Sequence, residues 1–407
     1  GVSLSASYQE RDFGYSQASV ADGWLTFAGD DATRGTRLPL PGEPGYDRIE
    51  NRPGADDIYA RPQNTGYSVN GVQRQRTNAN VTLQWAPSDA VTATLDYSYI
   101  ENKVQQQRSE LSVWFNYQPG DSSWTDGPVA APTWYSEDIP AGNSDLSMGG
   151  MQLATKNRGD SLGFNVEWEV NDALSLDFDY HKAKSESRPD GPYGSAGVLG
   201  VAAFVRGTTS VDYSGEIPIV NVVLPPGMDE VSAADAVVTG SVFQNSYNRS
   251  EVEQLQARGR FEFGEYSGLD FGVSATEVNN RTAASVMQAD NWGGLGSPGD
   301  YDDSIWYLDH MSRYFDAFGN SGHPDWTDGF LVFDFERLRQ RAAEIPQPNG
   351  QPCPTCYEMR PDYTDDLRTT EKSRSAYLQW TTRFDGSIPL DVAVGVRYEE
   401  TEVESAA

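Results

Sequence analysis

The chain has 407 residues, and 60 Asp and Glu against 30 Lys and Arg leave a net charge of −30. Phosphate contact needs clustered positive charge, so this balance excludes a nucleic-acid partner. The longest apolar run, Ala196 to Val205, is about half of what a helix needs to cross a bilayer, which excludes a helical membrane protein.

The hydrophobic fraction, 38%, is low for a soluble globular chain, yet 10 Trp, 21 Tyr and 16 Phe are too many for a disordered one. The chain must therefore order itself without a large conventional core. It opens inside a strand, where Val2, Leu4, Ala6 and Tyr8 alternate with Ser3, Ser5 and Ser7. No signal peptide precedes that strand and another strand runs to the last residues, so an internal piece of a longer protein is expected.

Four hairpins follow. Ala79, Val81, Leu83 and Trp85 lead through Pro87-Ser88-Asp89 to Val91, Ala93, Leu95, Tyr97 and Tyr99. Leu162, Phe164, Val166 and Trp168 lead through Asn171-Asp172 to Leu174, Leu176, Phe178 and Tyr180. Leu255 to Phe263 turn at Gly264 into Leu269, Phe271, Val273 and Ala275, and Ala376 to Phe384 turn at Asp385-Gly386 into Leu390 to Tyr398. Period two on both sides of a tight polar turn predicts β-hairpins near 77–103, 160–183, 252–279 and 374–403. With the first segment, that makes nine strands.

Between them lie polar stretches rich in Gly, Pro, Asp, Asn and Ser, near 12–75, 104–158, 185–250 and 280–370. A compact soluble domain rarely carries such connections, whereas short turns at one end and long loops at the other suit an outer-membrane barrel. Alternation alone fits a soluble sandwich as well. Strand length and aromatic placement favour the membrane. Segments of nine to eleven residues match a hydrocarbon layer of roughly 30 Å. Trp85, Trp168, Phe263, Trp380 and Phe384 sit just before the turns, and Tyr97, Tyr99, Tyr180 and Tyr398 sit toward the other strand ends. Two aromatic levels separated by aliphatic residues are what a membrane belt requires. The predicted fold is all-β, part of a transmembrane antiparallel barrel with short periplasmic turns and long extracellular loops.

Ser375-Ala376-Tyr377-Leu378-Gln379-Trp380 and, after the turn, Gly395-Val396-Arg397-Tyr398-Glu399-Glu400-Thr401 resemble a paired-strand motif of TonB-dependent outer-membrane receptors, in the branch abundant in Caulobacter- and Xanthomonas-like bacteria. The resemblance is sharp over about 30 residues and elsewhere follows the rhythm of hairpins and long loops. It implies a 22-stranded barrel with an N-terminal plug, pulled through a short box by TonB with ExbB and ExbD. Plug and box are missing from this chain, as are the remaining strands, so any such coupling would come from residues outside it.

Cys353-Pro354-Thr355-Cys356 has redox or zinc spacing, but His323, 30 residues away, is the nearest histidine and no second Cys pair exists. A disulfide at the tip of the fourth loop is the plain expectation. His310 and His323, near Asp309 and Asp325, leave a transition-metal site open; His181 continues a strand end. The acidic pairs Asp30-Asp31, Asp56-Asp57, Asp302-Asp303 and Asp365-Asp366 lack a calcium-loop pattern. They read as solvated faces, with divalent bridges to lipopolysaccharide as a lesser role. No arrangement supports catalysis, and no cofactor is implied.

Seven tryptophans lie outside the strands, Trp24 among them. Trp114, Trp124, Trp134, Trp292, Trp306 and Trp326, with Tyr135, are the candidate ligand-binding aromatics. They form either small loop cores or a stacking platform for sugars or flat organic molecules. Leu331, Phe335, Leu338, Ala342 and Ile345 recur at helical spacing ahead of Pro346, predicting a short amphipathic helix over the barrel mouth. Together these features predict an outer-membrane receptor of a Gram-negative bacterium that imports a scarce nutrient. Oligosaccharide is favoured, because a chain this acidic repels anionic siderophores. A passive porin or structural barrel, and a soluble secreted carbohydrate-binding or hydrolytic β-protein, remain the alternatives.

Overall fold

The computed structural model describes residues 1–142 and 144–406. Ten strands form one antiparallel sheet: β1 (Val2–Ser19), β2 (Asn64–Ser88), β3 (Val91–Trp114), β4 (Ser144–Asn171), β5 (Leu174–Pro189), β6 (Ala196–Arg206), β7 (Ala236–Phe263), β8 (Ser267–Leu295), β9 (Asp365–Phe384) and β10 (Leu390–Ala406). Neighbours in sequence are neighbours in the sheet, except that β6 continues the slot of β5. Thr155 of β4 faces Pro189 and Leu153 faces Ala196, so β5 and β6 share one direction and one position. The nine predicted strands are thus nine positions, one of them interrupted at 190–195.

The connections at one end are short, 89–90, 172–173, 264–266 and 385–389. The strands run much further toward the other end than alternation of apolar residues suggests. β4, β7 and β8 have 28, 28 and 29 residues, and their outer halves lie inside stretches expected to be loop. The sheet is not closed, since β1 and β10 each pair on one side only. No helix is long and apolar enough to cross a membrane among the described residues.

Period two places side chains on opposite faces, and register joins them across strands. Trp85, Ala93, Val166, Phe178, Ala257, Val273, Ala376 and Tyr398 are consecutive partners from β2 to β10. At about 4.8 Å per strand, that row is about 34 Å wide. Parallel rows above and below it complete an apolar band that no described residue covers, with Val273 58% and Val394 61% exposed. A soluble β-protein would bury this face in a core.

The same face carries two more tiers farther from the turns. Tyrosine hydroxyls mark the edge of the band: Tyr97 donates to Asp160 (2.8 Å), Tyr99 to Glu101 (2.9 Å) and Tyr180 to Glu253 (3.0 Å). Those acids belong to a tier of ion pairs, Lys156–Glu101 at 2.8 Å and Lys182–Glu253 at 2.9 Å among them. Beyond it, contrary to the expectation of order without a large core, lies an extensive hydrophobic core in which Leu111, Leu146, Met148, Leu199, Val201 and Phe243 pack under the loops.

The loops are folded. Residues 219–222, 209–212, 132–137, 122–124 and 49–50 form a small sheet in that order, and 24–28, 58–62 and 129–130 form another. The predicted helix forms as α1 (Phe335–Glu344), capped by Asp334, whose side chain accepts from the Arg337 N–H; Leu331 belongs instead to a strand, 329–333. Phe335, Leu338 and Ala342 face the core. Tyr193 joins Phe335 (4.8 Å between ring centroids) to Phe243 of β7 (6.5 Å), so α1 packs on the band-bearing side of the upper sheet.

Candidate functional site

The opposite face of the sheet is mainly polar, with single apolar residues such as Ile100 and the Ala183–Val252–Val278 row among its amides and hydroxyls. Gln9, Arg76, Asn102, Asn157, Ser187, Asn248 and Thr282 are register partners across β1 to β8. In the next row Ser7, Asn78, Ile100, Gly159, Ser185, Ser250, Asn280 and Thr369 do the same. A cavity of about 520 Å³ sits on this wall, with Asn102, Asn157, Asn248, Asn280, Ser185 and Ser187 in its lining. The charged residues at its border alternate to the other face, where Arg281 pairs with Asp366 at 2.8 Å. The Asn102 carboxamide oxygen is buried there without a hydrogen-bond partner. Amides and hydroxyls in such a row can exchange hydrogen bonds with a polar, hydroxyl-bearing ligand, beside the apolar Ile100 side chain.

Nearer the loops, a cavity of about 380 Å³ opens on the same face. Its lining takes residues from β1, β2, β3, β4, β6, β7 and β8, Ser19 and Trp292 at the extremes. Seven neighbouring strands laid flat would span about 29 Å, so the sheet curls and the polar face is its concave side. Trp114 ends β3 and Trp292 lies near the end of β8; the structure brings both to this cavity, with Trp292 78% exposed.

The remaining candidate aromatics are placed differently. Trp124 is buried against Tyr59 (5.4 Å) in the core of a loop sheet. Trp306 packs on Tyr301 and Phe333, and Trp326 on Tyr67 and Phe315. Tyr135 is buried, accepting from Arg61 (2.5 Å) and donating to Glu137 (3.0 Å). Desolvation pushes both the Tyr135 hydroxyl and the Glu137 carboxyl up. Trp134 is half exposed on the 132–137 strand, beside Asp212. Trp124, Trp306, Trp326 and Tyr135 fold the loops, Trp134 lies open on its strand, and of the candidates Trp114 and Trp292 share one cavity.

Other singled-out residues act locally. Cys353 and Cys356 form a disulfide, with Cα atoms 5.3 Å apart. His310 meets Glu230 at 2.8 Å, and His181 meets the Ser161 hydroxyl at 3.0 Å on the concave wall. Asp31 binds Arg34, and Asp366 bridges Arg281 and Arg368. Among the described residues, no group of three His, Cys, Asp or Glu side chains is set to hold a metal ion.

The belt aromatics Trp85, Tyr97, Tyr99, Trp168, Tyr180, Trp380 and Tyr398 all fall on the band face. Another cavity, about 660 Å³, lies on that face too, above the ion pairs, lined by Gln73, Gln105, Gln107 and Gln152 under residues 190–194. The alternating Asn, Gln, Thr, Asp and Ser of the strands were legible in the sequence as an inward face, but the ligand candidates were placed on the loop tryptophans and not on this wall. Comparison with known protein families, curated proteins and solved structures finds no match for this chain.

Proposed function

We propose that this chain forms part of an outer-membrane β-barrel that takes up a scarce polyhydroxylated nutrient, an oligosaccharide foremost. The observation that carries the reading is the two-faced sheet. An uncovered apolar band with tyrosine hydroxyls at its edge suits lipid, and a concave wall of amides and hydroxyls suits a sugar pathway. The band reaches both unpaired edges, β1 and β10, which in lipid demands further strands to complete a barrel. Coupling to TonB, ExbB and ExbD follows from the resemblance of 375–401 and would act through a plug outside this sequence. Lipopolysaccharide then faces the ion-pair tier.

Two single lysines test it. Val273 lies on the band and Gln256 on the concave wall, in adjacent register rows of β8 and β7. Val273→Lys should disfavour membrane assembly by about 2–4 kcal/mol at the midplane, and Gln256→Lys should leave it intact. Equal assembly of both variants, followed by heat-resistant migration after detergent extraction, would rule out the lipid-facing band. Uptake of labelled oligosaccharide that survives a protonophore would leave a passive porin in place of the coupled receptor.

A further inference from the structure

Only five of the 30 basic residues are lysines, and acids outnumber bases twofold, so an arginine here has abundant carboxylates to meet. Among the described residues, Arg11, Arg74, Arg76 and Arg374 alone engage neither an ion pair nor a hydrogen bond through the guanidinium; Arg52 and Arg61, for instance, bind carbonyl oxygens instead. Three of those four are neighbours. Arg11 of β1 faces Arg74 of β2 directly, and Arg76 follows Arg74 on the same face of the strand. Like charges directly opposite across a ladder are destabilising. Among the described residues no carboxylate pairs with these three guanidiniums, and the one stabilising contact to them is the Phe13 ring beside Arg11.

The surroundings specify what would offset it. Arg76 stands opposite Asn102, whose carboxamide oxygen is buried without a donor at the amide cavity. On the other side of the patch, Phe13 and Tyr15 are 40% and 45% exposed, and the Arg11 guanidinium sits 5.5 Å from the Phe13 ring. Gln106 donates to the Tyr15 hydroxyl at 3.2 Å. Cations without anions, an acceptor without a donor and two half-exposed rings therefore adjoin on one concave wall.

We infer that Arg11, Arg74 and Arg76 form a carboxylate-binding subsite, and that the saccharide this wall takes is acidic, bearing uronate-type groups. This rests on the oligosaccharide reading and narrows its substrate class. Guanidinium forks bind carboxylates in paired hydrogen bonds, and one uronate supplies both the anion and the hydroxyls. The net charge of −30 repels an anionic sugar at long range as it does an anionic siderophore, and the arginines act on it only at contact, within the roughly 10 Å over which charges at 0.1 M salt still interact.

The test is calorimetric binding of trigalacturonate and neutral maltotriose to the full-length protein, at low and high salt. Trigalacturonate should bind at least tenfold tighter, with affinity falling as salt rises. Arg74→Gln and Arg76→Gln should each lose tenfold for the acid and leave the neutral sugar unchanged. Arg74→Gln without ligand should raise the melting temperature, since it removes a like-charge pair, and that separates loss of binding from loss of folding. Equal binding of the two sugars, or unaltered acid binding in both variants, would overturn the subsite and leave the oligosaccharide reading standing. So would melting lowered by Arg74→Gln with sugar binding intact, which would assign the arginines to an acidic segment of the protein. Failure of both sugars to bind a protein that assembles normally in membranes would remove the subsite and the sugar pathway together.

Discussion

Phe333 lies where a side chain at position 150 would begin: a Cβ built on Gly150 would stand 2.6 Å from the Phe333 ring. The same ring packs edge-on to Trp306 (5.7 Å) and stacks with Phe335 at the start of α1 (6.5 Å). One missing side chain on β4 thus lets the fourth loop seat on the sheet. Gly150→Val should displace the ring and cost about 1–3 kcal/mol, as overpacking of a tight site does. Limited proteolysis within 296–364 should accelerate while the hairpin ends stay protected. Unchanged cleavage would mean that the loop is held elsewhere.

A second joint depends on pH. The Glu230 carboxylate, 2.8 Å away, raises the His310 pKa above its ordinary value and so ties the third loop to the fourth. Folding therefore favours the protonated ring. The stabilisation is complete below the unfolded pKa near 6.5 and is lost as pH rises through the higher folded value. Amide exchange around 229–231 and 308–311 should quicken above that point. His310→Gln should flatten the dependence. A profile identical in the variant would assign it to another group.

The hairpins, their turns and the two-faced character of the strands were legible because period two repeats over many residues, as from Leu174 to Tyr180. Strand length was not. Beyond Glu101 and Arg158 the band face turns charged and then apolar again, so its periodicity reads as a break while the ladder continues. The small loop sheets escaped for a different reason: the pairing of Ile49 with Ser122 is parallel and non-local. The amide wall was visible residue by residue, yet only register shows that Asn102, Asn157 and Asn248 share a level. Helix α1 was legible from its spacing, but the side of the sheet it covers was not.

Arg206 fixes the upper end of β6. It is fully buried and donates to the Trp114 carbonyl (2.7 Å), the Asp145 carbonyl (2.7 Å) and the Ser144 hydroxyl (2.7 Å), joining three strand ends. Arg206→Met keeps most of the volume and leaves those acceptors unpaired, each a buried polar group without its donor. The expected cost is about 3 kcal/mol, comparable to breaking a buried charged network. Arg206→Lys should recover part of it, because an ammonium cannot span the fork. Chemical denaturation of the two variants checks the order; a lysine variant weaker than methionine would contradict it.

Trp292 and Trp124 separate binding from folding. Trp292 is 78% exposed at the concave cavity, so truncating it removes little packing. Trp124 is 3% exposed between Tyr59 and its neighbours, so truncating it opens a void. Trp292→Ala should leave thermal stability unchanged and weaken oligosaccharide binding about tenfold, which corresponds to about 1.4 kcal/mol. Trp124→Ala should cost about 3–5 kcal/mol of stability, with binding altered only as far as the loops unfold. Fluorescence quenching by sugar should fall in Trp292→Ala alone. If sugar quenching persists in that variant and vanishes in a still-folded Trp134→Ala, the stacking platform lies on the 132–137 strand, and the cavity shared by Trp114 and Trp292 is not where the sugar rests.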